Sequence, residues 1–203
     1  MKKAKFLTMA ACLICLIAMS VSFIAGCSSQ TLSREEIAAL IGTDDFPVEQ
    51  IDGSYSIDIS DLRQVVGDSD YVVIAEVCGY NDTSYSVTGT PLTQYSIQVI
   101  ENIKGKLDTS KQLDLIKEGG INQDNDRFLV YSGDILPRVG GYYIFCIYGQ
   151  SSGGIRVCGA GYTLSINDEQ NYREEENYKN IVDAYENEIV SDRTRYSSTY
   201  EVD

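Results

Sequence analysis

Residues 122–128, NQDNDRF, set Asn122, Asp124 and Asp126 at alternate positions, the spacing with which a calcium-binding loop begins. Such a loop then needs a glycine and, at its end, a bidentate glutamate; Arg127 and Gly133 occupy those places, so the stretch is read as a solvated turn. The chain has no histidine, which removes Ser-His-Asp and Cys-His machinery and the commonest zinc ligand together. Carboxylates are abundant, with 30 Asp and Glu, and in such a number some pair falls at glycosidase spacing by chance. The Gly-x-Gly of CGAGYTL lacks a third glycine and leads into a strand, not a helix, so it is no dinucleotide loop. No cofactor, no metal and no catalytic residue is expected. A carboxylate-dependent hydrolase of the cell envelope stands as the alternative.

Cysteine is the residue with the most to say. Lys2, Lys3 and Lys5 precede an acid-free apolar run from Phe6 to Ala25, the layout of a secretory signal, and the run is also long enough to span roughly 30 Å as a helix. The tetrapeptide at its end decides between the two. Ile24-Ala25-Gly26-Cys27 resembles the lipobox of bacterial lipoproteins. That resemblance implies cleavage after residue 26 and a diacylglycerol group on the Cys27 thiol, an anchor in the outer face of a Gram-positive membrane. Cys12 and Cys15 would leave with the signal, and Cys78, Cys146 and Cys158 would remain. Cys146 and Cys158 stand symmetrically about Ser152 in a hairpin, where an extracytoplasmic site permits a bridge; the alternative is that they are buried small hydrophobes.

Loss of the three signal lysines leaves 13 basic against 30 acidic residues, a net charge of −17. Nucleic acid is thereby excluded as a partner, because phosphate binding draws on Lys and Arg. The domain plan is a signal peptide over 1–26, a lipidated N-terminus and acidic spacer over 27–58, a folded domain over 59–190, and a disordered tail over 191–203.

The elements follow from periodicity. Ser33 to Ile41 carries a capping box and a Gly42 stop, predicting a short helix, and SDLRQVVG predicts another, capped by Ser60. Strands are predicted over 71–80, over LTQYSIQVIENIKG with strict two-residue alternation, and over KQLDLIK. YYIFCIY, 142–148, is apolar on both faces and predicted to be central; GIRVCGAGYTLSI follows it, with a corner or bulge at Gly159 and Gly161. A closing amphipathic helix spans about 172–190, its stripe made by Tyr178, Ile181, Val182, Tyr185 and Ile189.

Together these predict a mainly β fold, a small five-stranded barrel with a short N-terminal helix and a C-terminal helix. The order SDYVVIAEV, YSIQVIENIKG, VGGYYIFCIY resembles the oligonucleotide/oligosaccharide-binding (OB) type barrel of netrin-like domains and tissue inhibitors of metalloproteinases, and lipoproteins of Gram-positive bacteria with the same strand pattern. Those inhibitors act through a free N-terminal cysteine, whereas Cys27 would be acylated, so inhibition is not carried over directly and stays a further alternative. The resemblance implies a binding module for a peptide, glycan or protein, with the first long loop, GYNDTSYSVTGTP, as its site and Tyr80 and Tyr85 as contact residues.

Overall fold

The computed structural model describes residues 35–42, 46–157 and 159–203. The expected signal segment, Cys27 and Cys158 lie outside the described residues.

The fold is mainly β. It is built on a long hairpin, β2 (Tyr71–Tyr85) and β3 (Pro91–Lys104), turned at Ser86–Thr90 where Gly89 takes φ 83°. Along β3 the alternation seen in the sequence becomes burial: Thr93, Tyr95, Ile97 and Val99 face inward. β4 (Gln112–Glu118) lies antiparallel to β3 with Leu113 opposite Ile97, and β8 (Ile155–Val157) lies parallel to β4 with Ile155 beside Leu115. β7 (Tyr142–Gly149) pairs antiparallel with both β8 and β2. The order β2-β3-β4-β8-β7 and back to β2 is thus a closed ring of hydrogen-bonded strands.

β9 (Thr163–Ile166) also pairs with β7, beyond β8 on the same edge, so the predicted kinked strand is two short strands. Gly159 and Gly161, at φ 70° and 81°, make the corner between them. In the β7–β8 hairpin, Tyr148 faces Arg156 and Gly149 faces Ile155, the symmetry about Ser152 read from the sequence.

A second, three-stranded sheet joins β1 (Val48–Ile51), β6 (Phe128–Tyr131) and β5 (Gly120–Ile121), with β1 parallel to β6. This corrects the boundary at residue 59. The second half of the expected spacer belongs to the domain because β6 offers β1 a strand edge, and Phe46 packs edge-on against Phe128 with ring centres 5.6 Å apart. The helix expected from Ser33 is not formed as a regular α-helix over Glu35–Ile41, where Ile37 and Ile41 are buried.

α1 (Leu62–Asp68) starts at Asp61, not Ser60; the Asp61 carboxylate accepts the Arg63 N–H at 3.0 Å. The closing helix is shorter than its stripe: a 3-10 turn at Tyr172–Glu174 leads into α2 (Glu176–Glu186), which buries Ile181 and Ala184 and leaves Tyr185 and Ile189 exposed. Tyr172 and Tyr178 donate to the two oxygens of Glu101 on β3, at 2.7 and 2.9 Å, and so fix α2 to the ring.

The tail after residue 190 is ordered, contrary to the expected disorder. Its backbone passes over Gly149, where a Cβ would stand 1.8 Å from the Tyr196 carbonyl oxygen, and ends beside the β3–β4 connection, with Val202 N–H donating to the Lys106 carbonyl at 2.9 Å. Hydrogen bonds and ion pairs hold it. They leave no hydrophobic periodicity to be read.

Inside the ring, the inward series of β4 runs Leu113, Leu115, Lys117, so an ammonium enters the core. Lys117 meets Asp134 at 2.6 Å, and the two side chains are 0% and 1% exposed. Burial raises the Asp134 carboxyl pKa above its ordinary range against the opposing pull of Lys117. The pair ties the loop after β6 to the ring. Replacing Lys117 alone by Met strands a buried carboxylate and is expected to cost about 3–5 kcal/mol in urea unfolding, whereas K117M/D134N, which removes both charges, recovers most of that loss.

Candidate functional site

Residues 52–57 run from β1 towards α1 and face Asp68, Glu118, Tyr131, Tyr148 and Tyr162 across a cleft of about 360 Å³. Tyr55 pins this strap: its hydroxyl accepts the Ala160 N–H at 2.9 Å. Gly53 and Gly159 make room for the ring, since a Cβ on either would lie 2.3 or 2.5 Å from the phenol oxygen.

The floor of the cleft is the carboxylate of Asp68, at the end of α1. Tyr148, on β7, and Tyr162, just before β9, both donate to Oδ2, Tyr162 at 3.1 Å, and their own oxygens stand 2.8 Å apart. On the other oxygen, Ser191 Oγ donates to Oδ1 at 2.5 Å, with Arg193 Nε 3.4 Å away. Arg193 lies over the Tyr148 ring, Cζ 4.4 Å from its centre, and reaches Asp70 at 2.8 Å. Arg195 donates to the carbonyls of Gly67 and Ser69 and to Asp70, covering the C-terminal end of α1. At the side wall Glu118 is ion-paired with Arg156, its neighbour across the parallel seam.

These contacts set the protonation states. Burial pushes the Asp68 carboxyl up, but hydrogen bonds from Ser191, Tyr148 and Tyr162 and the Arg193 charge outweigh it, and the net pKa is lowered. Burial, then Asp68 as hydrogen-bond partner, raises the Tyr148 phenol; burial also raises Tyr162. At neutral pH the group is therefore an ionised acceptor between two protonated donors. Asp68 thus accepts three side-chain hydrogen bonds on its two oxygens, with the Arg193 charge beside Oδ1. The arrangement cross-links α1, β7, the approach to β9 and the tail.

The residues singled out in the sequence lie elsewhere. β2 continues through the expected first loop to Tyr85, so only Ser86–Thr90 is a turn. Tyr80 packs edge-on against Tyr95, and its hydroxyl bonds Thr83 at 2.7 Å; the Tyr85 hydroxyl donates to the Asn122 carbonyl at 3.1 Å. Neither joins the cleft. Cys146 is a free, buried thiol whose pKa burial pushes up to about 12, and Cys78 is a free thiol at intermediate depth. In the 122–128 turn, Asn122 accepts the Asp126 N–H at 3.0 Å and Arg127 pairs with Asp126 and Glu49. Among the described residues no group of three or more Cys, Asp and Glu stands where it could hold a metal ion.

One sign of the site was present in the sequence and passed over. Asp68 and Asp70 stand at the C-terminal end of α1, where the helix dipole disfavours carboxylates, so each needs a donor from elsewhere.

No family model matches the chain, and no curated protein matches it.

Asp68 also sets a pH dependence. Because its pKa is lower in the folded than in the unfolded chain, where 3.8 is the ordinary value, its ionised form stabilises the fold above that pH. That contribution is lost as pH falls through the folded value. Asp68→Asn is expected to cost about 2–3 kcal/mol at pH 7, with the gap to the parent closing below about pH 4, read from denaturation curves across that range.

Proposed function

We propose that the chain is an extracytoplasmic lipoprotein, held on the outer face of the membrane by diacylglycerol on Cys27, whose domain is an OB-type binding module. The anchor reading rests on Ile24-Ala25-Gly26-Cys27 after a basic and apolar leader, and on the −17 charge of everything that follows. Support for the OB relationship comes from the closed five-strand ring with a single parallel seam, β4 beside β8. Ligand binding is assigned to the cleft under residues 52–57 and not to the β2–β3 turn.

The observation that carries a binding role over a hydrolytic one is the pairing of the cleft's two inner carboxylates, Asp68 and Glu118, with donors of the protein itself. Asp68 is held by Ser191, Tyr148, Tyr162 and Arg193, and Glu118 by Arg156. A carboxylate locked as an ion by several donors shapes and charges a surface; acid–base work needs a proton that can come and go. The pairing weighs against the hydrolase alternative.

The anchor is tested by mass spectrometry of membrane fractions from a Gram-positive host expressing the chain. The expected N-terminal peptide begins at Cys27 and carries a diacylglyceryl group, and Cys27→Ala lacks that mass and keeps the leader. An unmodified Cys27 with residues 1–26 still attached would refute the tether.

A further inference from the structure

We infer that the cleft beneath residues 52–57 receives a guanidinium or ammonium group carried by a basic peptide. This rests on the reading of the domain as a binding module and names the chemistry of its ligand.

The wall composition comes first. Four tyrosines, Tyr55, Tyr131, Tyr148 and Tyr162, line the cleft together with Asp52, Asp68 and Glu118, and among the described residues no Lys or Arg lines it. Phosphate, sulfate and carboxylate ligands meet no opposing charge there. A cation meets tyrosines and the exposed carboxylate of Asp52 in one cavity, Asp68 and Glu118 being already paired with Arg193 and Arg156. At about 360 Å³ the space lies at the small end of ligand sites, the size for one long side chain and its backbone, not a folded partner.

The molecule itself supplies the second observation. Twice it uses a tyrosine beside a carboxylate to seat a guanidinium. Arg193 lies over Tyr148 with Asp68 3.4 Å from its Nε, and Arg173 lies 5.0 Å over Tyr172 while pairing with Glu101. The same residue types line the cleft, where the Tyr148 ring is the one already covered by Arg193. Asp52 is its least engaged acid: it is exposed at the rim, and its Oδ1 accepts one bond, from Ser132 at 3.3 Å. The −17 charge of the chain after residue 26 adds a field that draws cations towards the surface and repels anions.

The test uses the purified lipidated protein in neutral detergent micelles, titrated by calorimetry with four probes: the Nα-acetyl amides of arginine, lysine and citrulline, and N-acetylglucosamine. Citrulline has the shape of arginine without the charge. The expected result is saturable binding of the arginine probe, at least tenfold weaker binding of citrulline, and a fall of about tenfold for arginine in the rim variant Asp52→Asn and in Tyr131→Leu. Circular dichroism checks that both variants are folded. Equal binding of arginine and citrulline, or preference for the sugar, would overturn the cation while leaving the cleft as the binding site. Failure of all four probes on folded protein would overturn the cation and the cleft assignment together.

Discussion

One carboxylate joins the parts of this protein that are distant in sequence. Asp68 ends α1, accepts hydroxyls from β7 and from the approach to β9, and is closed off by Ser191 and Arg193 of the C-terminal tail. A charge 5% exposed is tolerable only if its oxygens are satisfied, so the four segments are obliged to meet at one point. The cleft follows from that obligation. Its floor is the same cluster, and the strap over it is pinned by Tyr55 to the corner between β8 and β9.

The chain's acidity gives this arrangement an electrostatic logic. Basic residues are scarce, and the tail places two of them, Arg193 and Arg195, against Asp68, Asp70 and the end carbonyls of α1. Carboxylates at a helix C-terminus are locally unfavourable, and tail guanidinium groups reverse the sign of that local field. Arg193 adds a face-on contact with Tyr148, which couples the tail to a ring in the cleft wall. The tail is therefore part of the domain's structure, although its composition is that of a linker.

The ring has its own buried charge. Lys117 sits where the two-residue period of β4 demands an inward side chain, and Asp134 comes from a loop to meet it. Nearby, Thr93 donates to the Gly119 carbonyl at 2.7 Å, and Gly119 and Gly120 take φ of 102° and 137° as the chain leaves the ring for the smaller sheet. One end of the interior is polar and cross-linked. The remainder is filled by residues such as Ile74, Ile97, Leu113, Leu115 and Phe145, all fully buried.

The strands of the closed ring, the corner at Gly159 and Gly161, the hairpin symmetry about Ser152 and the presence of the closing helix were legible in the sequence, because each depends on neighbours within a few residues. Alternation along β3 needs no partner to be recognised. The site was a different matter: Tyr80 and Tyr85 looked available because nothing local engages them, yet Thr83 and the Asn122 carbonyl take their hydroxyls, and residues 78–85 extend a strand. Asp68, Tyr148, Tyr162 and Ser191 are separated by up to 123 residues and carry no common motif. Tail order was hidden for the same reason, since ion pairs have no period. What the sequence determined by itself was the local backbone pattern. Which polar groups meet, and so where a ligand could be held, was decided only by the tertiary structure, because burying a charge recruits whatever donors the closed ring brings within reach.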